Sequence, residues 1–195
     1  MKNFFCFLIF AGLSLLLGLG SAHYMIDDGF ALVVNQTGPW RSWINAGSLT
    51  ADPYTRAHIA RSGQLPITSA SGLTYFATTD GDGGTLSSDC EYEIVTRPLS
   101  AVWWTIAVFD NNGDLISNKA ARHAFSDQNL TILPDGTQRI ILAPEARPGH
   151  WLPSGDVGNL TLVLRIIRPV ALDRGGEDTS RVDAANLPQI RRVKC

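Results

Sequence analysis

From Phe4 to Ala22 the chain carries no charged side chain, and the run is rich in Phe, Leu and Gly. About 20 consecutive apolar residues are what a helix needs to cross a bilayer. The same stretch also has the parts of a secretory signal. Lys2 supplies the cationic start, Leu15-Leu16-Leu17 the apolar core, and Gly20-Ser21-Ala22 the small residues before a cut after Ala22. Apolar character runs on through Tyr24, Met25 and Ile26, which favours a retained anchor over residues 1–26. Gly12, Gly18 and Gly20 are of the small type found at helix–helix contacts in membranes. In either reading Lys2 stays inside and the rest of the chain crosses. The expected location is therefore the inner membrane, single-pass, with the C-terminal domain in the periplasm. Cleavage near Ala22 would instead give a secreted or periplasmic protein.

Export constrains the cysteines. Cys6 lies in the apolar run, which leaves Cys90 and Cys195 in the rest of the chain. Two cysteines in an oxidising compartment can form one bridge. This one would pin the C-terminal tail to the body, and closing so long a loop stabilises by about 4–5 kcal/mol. Zinc calls for more ligands at regular spacing than this pair provides.

Beyond the anchor, the 195-residue chain is long enough for one domain with a real core. The net charge is only -2, and the basic residues are scattered apart from Arg191, Arg192 and Lys194. That group reads as a solvated tail. Without a basic stripe and interleaved aromatics, nucleic acid is not an expected partner.

Residues 27–50 read as a linker, broken by Gly38-Pro39 and Gly47, with Trp40 and Trp43 as docking points or as rings at the membrane boundary. The domain is expected over residues 51–195. A helix is predicted over Pro53–Ser62: Asp52 is a good N-cap, Pro53 suits the first position, and Gly63 can end it. Strands follow at Leu73–Thr79, Glu91–Thr96, Val102–Phe109, Leu130–Leu133, Gln138–Leu142 and Asn159–Ile167. Pro134-Asp135-Gly136-Thr137 reads as a hairpin turn. In the last strand Leu160, Leu162, Leu164 and Ile166 alternate with Asn159, Thr161, Val163 and Arg165. The pattern predicts a mainly β fold: an antiparallel β-sandwich or jelly-roll-like domain with one short α-helix, preceded by the hydrophobic helix. From Arg168 onward an irregular tail is expected, held by Cys195.

Several stretches carry a resemblance when taken in order. They are Asp52-Pro53-Tyr54-x-Arg56-Ala57, Leu73-Thr74-Tyr75-Phe76 leading into Asp80-x-Asp82-Gly83, and Cys90-x-Tyr92. Then come Trp103-Trp104-Thr105-Ile106 with Phe109-Asp110, Leu115-Ile116-x-Asn118 with Arg122-His123, Trp151-Leu152-Pro153, and a strand ending Leu164-Arg165-x-x-x-Pro169. Together they resemble the bacterial "domain of unknown function 1214" family. In particular they resemble its short, membrane-anchored type, which often ends in an Arg-Val-x-Cys-like tail. The resemblance implies a β-sandwich-like fold and no settled activity. It also implies a possible protein partner from a companion family, "domain of unknown function 1254". Where that family commonly has Asn-Trp-Leu-Pro, this chain has His150-Trp151-Leu152-Pro153.

Two acidic loops have a superficial calcium look. Asp80, Asp82 and Glu91 match positions 1, 3 and 12 of an EF-hand loop, but Gly84 offers no ligand at position 5. Asp110, Asn112 and Asp114 run out at Leu115. Hairpin turns account for both. His58, His123 and His150 could together bind a metal, but a lone loop histidine is more often a surface residue or a satisfied hydrogen-bonder than a ligand, so no metal site and no cofactor is expected. There is no Gly-x-Ser-x-Gly elbow, and no histidine lies near either cysteine. The candidate binding residues are aromatic. Trp103 and Trp104 must point to opposite faces of a strand. Trp104 is expected outward, and with Tyr75, Trp151 and Arg122 it could present flat faces to a glycan or peptide.

Three functions follow, in order of preference. The first is an envelope protein whose tethered β domain binds a partner protein or a glycan. The second is an envelope hydrolase or lyase acting on a saccharide-like substrate through Arg122, His123 and an acidic residue. The third is a structural subunit of a complex with the companion family.

Overall fold

The computed structural model describes residues 2–30, 32–65, 67–68, 71–99, 101–169 and 186–195. The apolar run forms one continuous helix, α1 (Lys2–Asp27), long and apolar enough to cross a membrane. It is followed by a hairpin, β1 (Val34–Thr37) and β2 (Trp40–Trp43), and by α2 (Pro53–Ser62). Then come β3 (Gly72–Ala77), β4 (Glu91–Thr96), β5 (Ala101–Asp110), β6 (Ala124–Ser126) and β7 (Gln138–Ala143). The chain ends with β8 (Trp151–Pro153), β9 (Leu160–Pro169) and β10 (Gln189–Lys194).

The strands make two sheets. A six-stranded sheet runs β1-β2-β3-β9-β5-β6, and a four-stranded sheet runs β10-β4-β7-β8. All pairings are antiparallel except β7 with β8. One core joins the two sheets. Trp104, Ile106 and Val108 of β5 and the Leu162, Leu164, Ile166 row of β9 share it with Tyr92 and Ile94 of β4 and Ile140 and Leu142 of β7. This is the mainly β, sandwich-like arrangement that the alternating strands predict.

The local signals of α2 operate as expected. Asp52 Oδ1 accepts hydrogen bonds from the Tyr54 and Thr55 amides at 2.9 and 3.0 Å. Gly63, with φ at 65°, closes the other end. On β9, Val163 departs from simple alternation and is buried on the outer side. It is flanked by Phe76 on β3 and Ala107 on β5, which cover it.

Three expectations need correction. The segment read as a linker contains the β1–β2 hairpin, which joins the large sheet through Arg41 opposite Phe76. Its strands are polar and four residues long, so they lack a strand signal; Trp40 supplies the burial, and its Nε1 donates to the Pro188 carbonyl at 2.6 Å. Leu130–Leu133 is not a strand, although Leu130 is buried. A 3-10 turn (Asp127–Asn129) precedes it, and the Pro134–Thr137 turn leads only into β7. The end of the tail is not irregular either: β10 pairs with β4, and Cys195 is bonded to Cys90 across 105 residues. Gly175 and Gly176 lie outside the described residues.

Candidate functional site

The aromatic surface expected from Trp104 and Tyr75 is not a surface. Trp104 is 2% exposed and Tyr75 4%, and both belong to the core between the sheets. Alternation along β5 does put the two tryptophans on opposite faces, but it is Trp103 that faces away from the core. Nothing within the Trp-Trp pair says which ring goes in; the choice is made by the partner sheet.

Arg122 and Trp151 do meet. Arg122 Nη1 donates to the Trp151 carbonyl at 2.9 Å, its guanidinium lies 5.6 Å from the Phe125 ring centre, and Trp151 Nε1 donates to the Ala143 carbonyl at 2.9 Å. These bonds fasten the β8 region to β6 and β7. His123 Nδ1 lies 3.0 Å from the Ile116 carbonyl and 3.4 Å from the Asn118 amide. Neither Arg122 nor His123 has an acidic partner among the described residues, so the expected acid–base set is not assembled there. His150 is bound by the Thr131 amide and the Arg139 carbonyl and packs edge-on to Phe125. His58 is on the other side of the fold. Among the described residues, no group of three potential metal ligands comes together.

The carboxylates of the two acidic loops serve their own turns. Asp80 accepts from the Asp82 and Gly84 amides and pairs with Arg192 at 2.8 Å. Asp110 accepts from the Asp114 amide at 2.8 Å and the Asn112 amide at 2.9 Å, and the Asp114 bond first of all holds its pKa below the usual range.

An open groove of about 450 Å³ lies on the outer face of the six-stranded sheet. Trp43 of β2, Phe76 of β3, Phe109 of β5, and Val163 and Arg165 of β9 line it. His58 and Ser62 of α2 add to the lining, as do Asp27 and Asp28 at the end of α1 and the Asp110–Gly113 turn. A volume of this size suits a small ligand or a short segment of a larger one.

Its parts are held firmly. His58 stacks on Trp43 with centroids 4.1 Å apart, and its Nδ1 donates to the Ile26 carbonyl at 2.9 Å. Burial lowers the His58 pKa, although the Ile26 bond and the Asp27 charge oppose this. The ring is therefore neutral at pH 7, with Nε2 left as an acceptor. Arg41 donates to the Asp28 carbonyl, and Asp27 pairs with His23 at 2.6 Å and Arg61 at 2.7 Å. Arg165 differs. It is exposed, lies between Thr74 and Thr105 on the neighbouring strands, and has no ion-pair or hydrogen-bond partner among the described residues. The arrangement can stack flat apolar surfaces and donate or accept hydrogen bonds. Among the described residues Ser62 donates to the Ile59 carbonyl and shares no hydrogen bond with His58, and an Asp110 held in the ionised form is unsuited to act as a general acid.

A family model described as "Protein of unknown function (DUF1214)" matches residues 71–171. The chain belongs to the DUF1214 family. The match runs from β3 through β9 and so covers the centre of both sheets. Among solved structures, this DUF1214 chain is similar to the VPA0106 protein from Vibrio parahaemolyticus, with 19% identity and a TM-score of 0.57 over 74% of the chain. It is also similar to an uncharacterized protein from Burkholderia cenocepacia, with 17% identity and a TM-score of 0.43 over 95%. The chain spans 36% and 41% of the length of these two proteins. No curated protein matches it.

Phe76, Phe109, Asp110, Val163 and Arg165 lie within the DUF1214 match, while Asp27, Arg41, Trp43 and His58 come from the chain before it. Sequence reasoning weighed Trp43, His58 and Asp110 in other roles but did not join them with Phe76, Phe109 and Arg165 into one groove. The available signal was Arg165, a cation on the outward row of β9.

Proposed function

We propose that this DUF1214 protein is a non-catalytic binding domain of the cell envelope. In this reading α1 is retained in the inner membrane, the sandwich lies in the periplasm, and the groove holds a saccharide segment. Lys2 and the apolar run support the orientation, and the Cys90–Cys195 bridge is in keeping with an oxidising compartment.

The observation that carries the binding reading is the make-up of the groove. Three aromatic rings, the exposed Arg165 and the polar Asp110–Gly113 turn share one open concavity. Aromatic faces stack on the flat apolar sides of sugar rings, and the surrounding donors and acceptors match hydroxyl groups. The test is calorimetric titration of the detergent-extracted protein with a panel of neutral and acidic oligosaccharides. Phe76→Ala and Arg165→Ala are each expected to weaken binding about tenfold, or roughly 1.4 kcal/mol. If no saccharide binds, or both variants bind as the unaltered protein does, the reading is wrong.

A protein partner from the companion "domain of unknown function 1254" family is the second reading. It rests on the family resemblance, which implies such a partner. Co-purification of the two proteins, lost in Arg165→Ala, would put that partner in the groove in place of the glycan.

A further inference from the structure

Outside α1, the three most exposed large apolar side chains among the described residues are Leu32, Leu49 and Leu65, at 79, 95 and 84%. Apolar side chains scattered singly over a surface are ordinary, so what matters is where these three lie. All three are in segments next in sequence to α1 or α2. Leu32 follows α1 by five residues, Leu49 precedes α2, and Leu65 follows α2.

The structure ties these segments to the anchor. Arg61 of α2 pairs with Asp27 in the last turn of α1 at 2.7 Å, and His58 bonds the Ile26 carbonyl. Arg56 Nη2 donates to the Leu49 carbonyl at 2.8 Å and so holds Leu49 to the first turn of α2. The uncharged run ends at Ala22, so Asp27 lies only about 7.5 Å further along the helix. The headgroup layer on each side of a bilayer is about 5–7.5 Å thick. Once α1 spans the membrane, α2 is thus clamped at headgroup height. The rest of the local chemistry matches that layer. Tyr24 is exposed at the end of the span, as interfacial rings are, and α2 carries Arg56 and Arg61 with no acidic residue.

We infer that the domain lies down on the membrane that holds its anchor, with Leu32, Leu49 and Leu65 dipping into the interfacial layer. The inference rests on the membrane-tether reading above and is independent of what the groove binds. It also sets the groove, lined by Asp27, Asp28 and His58, beside the membrane surface.

The test uses full-length protein in nanodiscs of phosphatidylethanolamine and phosphatidylglycerol. Cys6 is the free thiol of the described chain, and a fluorescent label on it reports whether α1 is inserted. In a Cys6→Ser background, Leu49→Cys, Leu65→Cys and the control Ile132→Cys carry the same label one at a time. Headgroup-nitroxide lipids are expected to quench the labels at Leu49 and Leu65 about twofold more strongly than the one at Ile132. Equal quenching at all three sites, with the Cys6 label quenched by acyl-chain nitroxides, would overturn the inference while leaving the tether intact. An unquenched Cys6 label would overturn both together.

Discussion

The two outer surfaces of this sandwich treat charge in opposite ways. Along the four-stranded sheet, nearly every charge is paired within the fold. Glu93 meets Arg139 at 3.0 Å and Arg191 at 3.9 Å, Glu91 meets Arg147 at 2.9 Å and Lys194 at 3.8 Å, and Asp80 meets Arg192. The Cys90–Cys195 bond closes the same edge. Along the six-stranded sheet, Arg165 has no partner among the described residues and stands beside half-buried aromatic rings in an open groove. Cations of one side hold the chain together, and Arg165 on the other remains available to something else. Stability and recognition are thereby placed on different sheets, and substitutions should separate them.

The largest effect expected is on the closed side. Replacing both Cys90 and Cys195 by Ser releases a loop of 105 residues and should lower stability by about 4–5 kcal/mol in urea unfolding. Groove binding, measured below the transition, should be unchanged. A loss of under about 1 kcal/mol would mean that β10 is held by its strand pairing and ion pairs rather than by the bridge.

Next is Arg192→Met. Asp80 is 3% exposed, and it would keep its two turn amides but lose its cation. Removing one partner of a buried pair is costly, but Arg192 is itself one-third exposed, which reduces the loss to about 2 kcal/mol. Asp80→Asn in the same chain should restore part of it. Unfolding midpoints of the single and double variants check this.

How much of this was legible in the sequence depended on where each signal was stored. Helix α2 could be read because Asp52, Pro53 and Gly63 act on their own neighbours. Strands β5 and β9 could be read because β5 is a nearly continuous apolar, β-branched and aromatic run and β9 alternates Leu160, Leu162, Leu164 and Ile166 with outward residues. Strand β10 could not. Arg191, Arg192 and Lys194 look like a solvated tail until Glu93, Asp80 and Glu91, roughly a hundred positions earlier, are placed beside them. The β1–β2 hairpin was hidden for the same reason, since its Trp40 finds its acceptor at Pro188. The site was hidden by a different ambiguity. Period-two patterns say that neighbours face opposite ways, not which way is in. Trp104 was thus assigned to the surface, and Phe76 and Phe109 were read only as parts of family-like stretches, not as binding residues.

On the open side, Arg165→Ala should leave stability within about 0.5 kcal/mol of the unaltered protein, because an exposed side chain without a partner holds nothing together. The same variant is the one expected to weaken ligand binding. A clear fall in melting temperature with binding intact would reverse the contrast between the two sheets and make Arg165 structural.

The smallest effect is a pH dependence where the open side meets the anchor. Burial beneath Trp43 holds the His58 pKa below its ordinary 6.5, against the Ile26 bond and the Asp27 charge, while Arg41 and Arg61 push the same way as burial. A histidine that is harder to protonate when folded stabilises the native state fully above pH 6.5. That contribution is lost as pH falls through the folded value, because the unfolded chain takes up the proton first. The domain should therefore lose stability between about pH 7 and pH 5, and His58→Gln, which keeps a donor for Ile26 without titrating, should lose less over the same range. Paired denaturant titrations at the two pH values measure the difference. Equal losses in both proteins would place the acid sensitivity in the carboxylates of the closed side, and the anchor-side clamp would then be indifferent to pH.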